Sequence, residues 1–179
     1  MKFYLKKMSG TGTCPSRISL EEVVWSWIGA FLGITAVGLA HFNFLDDTDL
    51  LMIIGSFGAS AVLIYGAVNS PLAQPRNLLG GHVLSALIGV ACYQFLGSQL
   101  WLAASVAVAT SIALMQLTRT LHPPGGATAL IAVIGGPQIH DLGYLYALVP
   151  AGAGALIMLV IALLINNIPA CRKYPEFWW

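Results

Sequence analysis

The amino-acid sequence predicts an all-α membrane protein in which two halves of three segments each form an inverted repeat. Three observations lead to this fold class. Of the 179 residues, 58% are hydrophobic and only 8% are charged, a composition far from that of soluble domains. Two apolar segments are interrupted by glycine and proline, and a short motif recurs in both of them. Each half therefore contains a span, a broken segment or half-helix, and a second span.

The first half is predicted to occupy about residues 23–97. A span over 23–42 is long enough to cross a bilayer, and the basic residues before it place residues 1–22 in the cytoplasm by the positive-inside rule. The next apolar segment contains no charged residue but is interrupted by Gly, Asn and Pro, so a helix is expected only over about 58–68. Residues 79–96 form the last span of this half.

The second half is predicted over about residues 100–167, with spans at 100–117 and 145–165. Between these spans lies the stretch TRTLHPPGGATALIAVIGG. Pro123 and Pro124 cannot continue a helix from the preceding side, but proline suits a first helical turn. A helix is therefore expected to begin here. At 1.5 Å per residue its length covers roughly half of the hydrocarbon layer, which makes it a half-helix.

The charged residues determine the predicted number of crossings. If both broken segments cross, all eight Lys and Arg residues lie on the cytoplasmic side, and the four Asp residues lie outside. If both segments re-enter instead, only four helices span, and Arg76 and Arg119 lie outside. Six crossings are therefore predicted, and a four-span bundle with two re-entrant segments is the alternative. Residues 23–167 then form a single transmembrane domain, followed by a cytoplasmic tail over 168–179.

The repeated motif predicts a binding site. GASAVL at 58–63 matches GATALI at 126–131, which pairs Ser60 with Thr128. Half-helices that enter from opposite sides bring their N-termini together, and unpaired N–H groups with the helix dipole favour a bound anion there. The residues assigned to substrate binding are Ser56, Gly58, Ala59, Ser60, His122, Gly125, Gly126 and Thr128. The alternative is that the small residues only pack helices together, which is preferred for Gly89, Gly152 and Gly154.

His122 is the most informative side chain, because an ionisable group within a membrane segment marks a functional site. It is expected to bind the anion or to carry a coupled proton. A neutral histidine that fixes its loop through a backbone carbonyl is an equal alternative. Arg76 and Arg119 are expected to draw anions towards the site, or simply to extend to the interface. His82 and Asn69 are weaker candidates.

The sequence contains no pattern for catalysis or for a cofactor. Paired carboxylates and a phosphate loop are missing, the three cysteines lack metal-ligand spacing, and the net charge is only +1. These features argue against an enzyme, a bound metal or cofactor, and a nucleic-acid partner. The expected partners are a small inorganic anion and the lipid bilayer, and the small size favours a homodimer.

The sequence resembles the HPP family of small integral membrane proteins, named after the triplet His122, Pro123 and Pro124. The resemblance is carried by WSWIGAFLGI, GSFGASAVLIYG, SPLAQPRNLLGGHVLSALIGV, LTRTLHPPGGATALIAV and KYPEFWW. Chloroplast and cyanobacterial members are linked to nitrite transport, so the resemblance implies a transporter or channel-like permease for a small monovalent anion, nitrite first. A non-transporting membrane scaffold or sensor subunit is the alternative.

The resemblance also bears on topology and location. Family members are commonly described as four-helix proteins, which favours the four-span alternative over six crossings. The sequence shows neither the transit peptide of plant members nor the nucleotide-binding CBS domains of some relatives. A small bacterial member in the inner membrane, with both termini in the cytoplasm, is therefore expected.

Overall fold

Helices account for most of the described chain. The computed structural model describes residues 17–44 and 52–179, and these ranges contain no β-strand. A 3-10 turn over Pro71–Ala73 precedes the third helix, and irregular helical turns over Gly143–Gly152 precede the last one. The helices are α1 (Leu20–Phe44), α2 (Ser56–Gly66), α3 (Pro75–Leu96), α4 (Leu100–Leu117), α5 (Pro123–Ile134), α6 (Pro137–His140) and α7 (Ala153–Ile165).

The predicted all-helical membrane architecture is confirmed. Within the described ranges, four helical segments are long and apolar enough to cross a membrane, namely α1, α3, α4 and the segment Gly143–Ile165, whereas α2 and α5 are shorter. The bounds of α4 are those predicted, and α5 begins at Pro123. Two predicted helix starts are too late. Helix α2 begins at Ser56, and α3 begins at Pro75 because proline at the first helical position needs no N–H partner.

The last span is less regular than predicted. It begins at Gly143, but Val149 has the extended dihedral angles φ −133° and ψ 120°. The cause is Pro150, because a residue before proline is pushed out of the helical region and proline lacks the N–H that a helix would use. The regular part of this span, α7, therefore begins only at Ala153.

Hydrogen bonds at one end of the bundle fix the direction of several segments. Arg172, which follows α7, donates to Glu22 at the start of α1 and to the carbonyl of Tyr65 near the end of α2. Arg76 at the start of α3 donates to the carbonyl of Thr118, directly after α4. The starts of α1 and α3 and the ends of α2, α4 and α7 therefore lie at the same end.

The opposite end is marked by the ring of His140, which stacks on Tyr93 near the end of α3. The described helices α1, α2, α3, α4, α5 and α7 therefore alternate in direction along the bundle, and whether α2 and α5 cross the membrane stays a prediction. These directions are those that an inverted repeat requires, whereas the equivalence of the two halves stays a prediction. Six of the charged residues used to predict the crossings lie outside the described ranges, namely Lys2, Lys6, Lys7, Asp46, Asp47 and Asp49.

Glycines allow α2 to lie close to its neighbours. The ring of Tyr65 on α2 packs on Gly29 of α1, where a Cβ atom would lie 2.6 Å from the ring, and on Gly33 one turn later. The Tyr65 hydroxyl donates to the carbonyl of Met158 on α7 at 3.0 Å. Helix α2 is thus held between α1 and α7, and its other side is available to α3 and α5.

Candidate functional site

A network of buried polar side chains lies where α2, α3 and α5 meet. Ser60, His82, His122 and Thr128 have no exposed surface, and Ser56 is 2% exposed. We call these five residues the histidine network. Because the surroundings are apolar, each polar group needs a partner within the protein.

His82 lies at the centre of the histidine network. Its Nε2 atom is 2.7 Å from Ser60 Oγ on α2, and its Nδ1 atom is 2.7 Å from Thr128 Oγ1 on α5. Ser60 Oγ is also 2.9 Å from His122 Nε2, and Thr128 Oγ1 lies 2.9 Å from Ser56 Oγ. The two hydroxyls that the sequence motif pairs therefore bind the two nitrogens of one imidazole.

The two short helices run antiparallel and overlap along their first turns. Ser56, the first residue of α2, contacts Thr128 in the second turn of α5. One turn later in α2, Ser60 contacts His122, the residue that precedes α5. The N-termini therefore lie side by side, and the side chains between them form the network.

Backbone contacts hold His122 in place. Its Nδ1 atom is 2.8 Å from the carbonyl oxygen of Leu72. Leu121, the residue before His122, accepts a hydrogen bond from Asn77 Nδ2 through its carbonyl at 2.8 Å. On its other side a Cβ atom at Gly81 of α3 would lie 2.5 Å from His122 Cβ. His122 is thus fixed through a backbone carbonyl, as the structural alternative for this histidine expects. Its second ring nitrogen faces Ser60.

Some of the N–H groups predicted to be unpaired at the helix starts have partners or are missing. In α2, the N–H groups of Phe57 and Gly58 donate to carbonyls three residues earlier. In α5, the first two residues are prolines without an N–H, and Gly125 N donates to His122 O at 2.8 Å. Short-range bonds and prolines therefore satisfy or remove several of these donors, and anion binding at the two helix starts stays a prediction. Side chains supply the polar groups instead.

The small residues assigned to binding occupy different positions. Gly58 and Ala59 are exposed on the outer face of α2. Gly125 packs against α3, since a Cβ atom there would lie 2.7 Å from Gly81 O, whereas one at Gly126 would meet only a side chain of α4 at 3.9 Å. Gly125 therefore permits the close contact of α3 and α5. Direct binding of an anion by these four residues stays a prediction.

Arg76 and Arg119 line one cavity of about 300 Å³ at the end of the bundle where α3 begins. Arg119 has a φ of 58°, which is uncommon for a residue with a side chain. Leu72 and Asn77 also line this cavity, so residues of its wall hold His122 and Leu121. We call it the arginine vestibule, and its lining is Pro71, Leu72, Arg76, Asn77, Arg119, Phe177 and Trp179.

Sequence reasoning underestimated His82. A histidine within a span that otherwise holds no charge is itself a signal, because such a side chain needs a buried partner. Asn69 lies elsewhere, in a cavity that contains Glu22 and Arg172. The packing interpretation of Gly89 and Gly154 is confirmed, since added Cβ atoms would lie 2.6 Å from Ala129 O and within contact of the Phe57 ring, respectively.

These elements define a helical integral membrane protein with a buried polar centre. A sequence profile of the HPP transmembrane region matches residues 15–175, and the chain belongs to this HPP family. Two transmembrane proteins of Dictyostelium discoideum are similar to it. One is 45% identical in an alignment of length 179 that covers 98% of this chain and 57% of the relative, and the other is 46% identical in an alignment of length 181 that covers 98% of this chain and 63% of the relative.

The chain therefore spans about three fifths of the length of the curated relatives that it matches. No solved structure matches it. Both relatives are described only as transmembrane proteins, and neither comes from a bacterium. The expected bacterial inner membrane stays a prediction.

Proposed function

We propose that this protein is a permease for small monovalent anions, with nitrite as the first candidate. The observation that supports it is the position of the histidine network beneath the arginine vestibule. Leu72 lines the vestibule, and its carbonyl accepts a hydrogen bond from His122 Nδ1 at 2.8 Å. Only Leu72 then separates an anion in the vestibule from the buried imidazole of His122.

Charge at the vestibule favours an anion over a cation. Arg76 and Arg119 are its charged lining residues, and no acidic residue lines it. A cleft with one sign of charge raises the local concentration of the opposite ion. Further inward, His122, Ser60 and Thr128 offer polar hydrogens without a carboxylate, which suits a small anion that must lose its water.

The same reasoning proposes the orientation and location. The described basic residues Arg17, Arg76, Arg119, Arg172 and Lys173 all lie in segments at one end of the bundle. By the positive-inside rule that end faces the cytoplasm, with both termini. An inner membrane is the location proposed for a bacterial protein with this orientation, and a homodimer is the proposed assembly.

A membrane scaffold or sensor subunit is the second candidate. The observation that favours it is that the polar side chains of the histidine network all have partners and are fully buried. A satisfied buried network also specifies a rigid core. We keep the expectation that the protein is not an enzyme, because no described carboxylate contacts the Ser60 and His122 pair.

Nitrite flux into proteoliposomes tests the proposal. The purified protein is reconstituted, and nitrite uptake is compared with that of protein-free vesicles, since nitrous acid crosses lipid unaided. Uptake above this background that falls in Arg76→Gln and Arg119→Gln vesicles supports the permease. Exposed Lys173→Gln, outside the vestibule, is the matched control. A folded protein that moves neither nitrite, nitrate, formate nor chloride supports the scaffold.

A further inference from the structure

The histidine network forms an unbroken series of hydrogen bonds between the vestibule side and the start of α2. In order, the series joins the carbonyl of Leu72, His122, Ser60, His82, Thr128 and Ser56. The successive distances between the bonded atoms are 2.8, 2.9, 2.7, 2.7 and 2.9 Å. Each side chain after Leu72 can both accept and donate hydrogen bonds.

The Leu72 carbonyl fixes the protons of the neutral network. A carbonyl only accepts, so His122 Nδ1 carries a hydrogen, and the Nε2 atom of neutral His122 must accept from Ser60. The single hydroxyl hydrogen of Ser60 is then used, so His82 Nε2 donates to Ser60 Oγ. Neutral His82 therefore accepts at Nδ1 from Thr128. Every bond in this arrangement points from Thr128 towards Leu72.

A second arrangement is available because Thr128 has further acceptors. Its hydroxyl lies 2.9 Å from Ser56 Oγ and 3.3 Å from the carbonyl of Pro124. If the Thr128 hydrogen turns to either acceptor, His82 Nδ1–H donates to Thr128, and Ser60 donates to His82 Nε2. His122 Nε2–H then donates to Ser60, so His122 carries both ring hydrogens and a positive charge.

We infer that the series His122, Ser60, His82, Thr128 and Ser56 conducts a proton through the buried centre of the protein. A proton arrives at Thr128 Oγ1, and the Thr128 hydrogen passes to His82 Nδ1. The Nε2 hydrogen of His82 passes to Ser60 Oγ, and the Ser60 hydrogen passes to His122 Nε2. One O–H or N–H bond breaks for each that forms, and the added charge ends on His122.

This relay rests on the proposed transport function, because its consequence is that one proton accompanies one anion. A charged His122 beside the vestibule neutralises the anion next to it, so that one proton and one anion that cross in the same direction carry no net charge. His122 returns to its neutral form when it gives the proton to the departing anion or to water. Transport is then electroneutral and depends on the pH gradient.

The surroundings favour one proton at a time. The rings of His82 and His122 have centroids 5.1 Å apart, so two charged imidazoles would repel each other strongly. The neighbouring groups are the Phe57 ring against His82 and the Tyr146 hydroxyl, which donates to the carbonyl of Thr128. Among the described residues, the ion pair Arg172 with Glu22 lies at the end of the bundle, away from both imidazoles.

The decisive variant is Thr128→Val, with Thr128→Ser as its matched control. Valine keeps the shape of threonine but has no hydroxyl, so His82 Nδ1 loses its partner on the relay. Serine restores the hydroxyl. Initial rates of nitrite uptake are measured in proteoliposomes above the protein-free background, with the membrane potential set by potassium and valinomycin and with or without an inward proton gradient.

We expect the wild-type rate to rise with an inward proton gradient and not to respond to the potential. Thr128→Ser should keep the response to the gradient, and Thr128→Val should lose it, so that its rate no longer rises when the gradient is applied. If Thr128→Val does not give a monodisperse protein, Ser60→Ala interrupts the same series and takes its place.

The outcomes separate the relay from the permease. Wild-type uptake that follows the potential and ignores the proton gradient overturns the relay and leaves an anion permease. Retention of the gradient response in both Thr128→Val and Ser60→Ala also overturns the relay alone. The absence of any wild-type uptake above background overturns the proposed function, and the relay with it.

Discussion

Ser60 and His122 are 62 positions apart in the chain, yet Ser60 Oγ lies 2.9 Å from His122 Nε2. This contact joins the second turn of the short helix α2 to the residue that precedes the short helix α5. Both residues have no exposed surface, so the hydrogen bond forms without competition from water. The broken segments of the two halves thus depend on each other for their polar partners.

Two substitutions of His122 separate its two hydrogen bonds. In His122→Asn the amide nitrogen matches the position of Nδ1 and keeps the bond to Leu72, while the bond to Ser60 is lost. In His122→Gln the reverse is expected. Losing a hydrogen bond to a charged ligand costs about 1.5 to 3 kcal/mol. If Ser60 and His122 act on the anion, His122→Asn should therefore raise the half-saturating nitrite concentration about ten-fold to hundred-fold, as measured in proteoliposomes.

The control for His122 is His140→Asn, because His140 contacts the carbonyl of Val133 near the opposite end. It should leave nitrite uptake unchanged. A folded His122→Asn protein with unchanged affinity and unchanged pH dependence would mean that His122 only fixes its loop.

The three neighbouring glycines should differ in their tolerance of alanine. Gly125→Ala places a Cβ atom 2.7 Å from the carbonyl of Gly81, and backbone cannot easily move away. Such overpacking costs about 1 to 3 kcal/mol. Gly126→Ala, with its nearest contact at 3.9 Å, and Gly58→Ala, with open space, should unfold at the wild-type temperature. Thermal unfolding in detergent measures all three, and equal midpoints would contradict the close packing of α3 and α5.

The sequence predicted the features that depend on local chemistry. The start of α5 at Pro123 follows from the geometry of proline, and the lengths of the apolar runs predicted the long helices. The sequence also allowed the loss of backbone N–H donors at the start of α5 to be predicted, because two of its first three residues are prolines. The central position of His82 in the histidine network could not be predicted from the sequence, because it depends on which face of α3 packs on α5. The close contact of Gly81 with Gly125 determines that face.

Arg119 provides a test in which charge and stability change separately. Its φ of 58° suits glycine better than arginine, so Arg119→Gly should keep the unfolding free energy within about 1 kcal/mol of the wild type. It removes a positive charge from the vestibule, so the nitrite uptake rate and its dependence on salt should both fall. Arg119→Lys keeps the charge and should retain both. Equal rates in the glycine and lysine variants would exclude a role of the charge.

Arg172 should stabilise the end of the bundle where α1 begins and α7 ends. Its side chain is 3% exposed, and it donates to Glu22, Ser26 and the carbonyl of Tyr65. The Glu22 side chain is 31% exposed, so solvent weakens the pair, and its loss should cost less than the roughly 3 kcal/mol of a fully buried pair. Arg172→Met should therefore lower the thermal unfolding midpoint, whereas Lys173→Met, at an exposed position, should not. Similar midpoints for the two variants would show that the contact contributes little.

Tyr174 should make the attachment of the C-terminal segment sensitive to alkaline pH. Its buried hydroxyl donates to the carbonyl of Ala73 at 2.8 Å, and burial raises the pKa of Tyr174 above its ordinary value of about 10. Because the folded-state pKa is the higher one, the stability from this contact is complete below about pH 10 and is lost as the pH rises further.

The matched variant for this contact is Tyr174→Phe, which keeps the ring and removes the hydroxyl. At neutral pH it should be less stable than the wild type by about 1 kcal/mol, the net contribution of one hydrogen bond. The difference should shrink as the pH rises from about 8 to about 11, because only the wild type has a phenol to ionise. Unfolding free energies of both proteins in detergent measure it, and a difference that stays constant over this range would mean that Tyr174 does not titrate with folding.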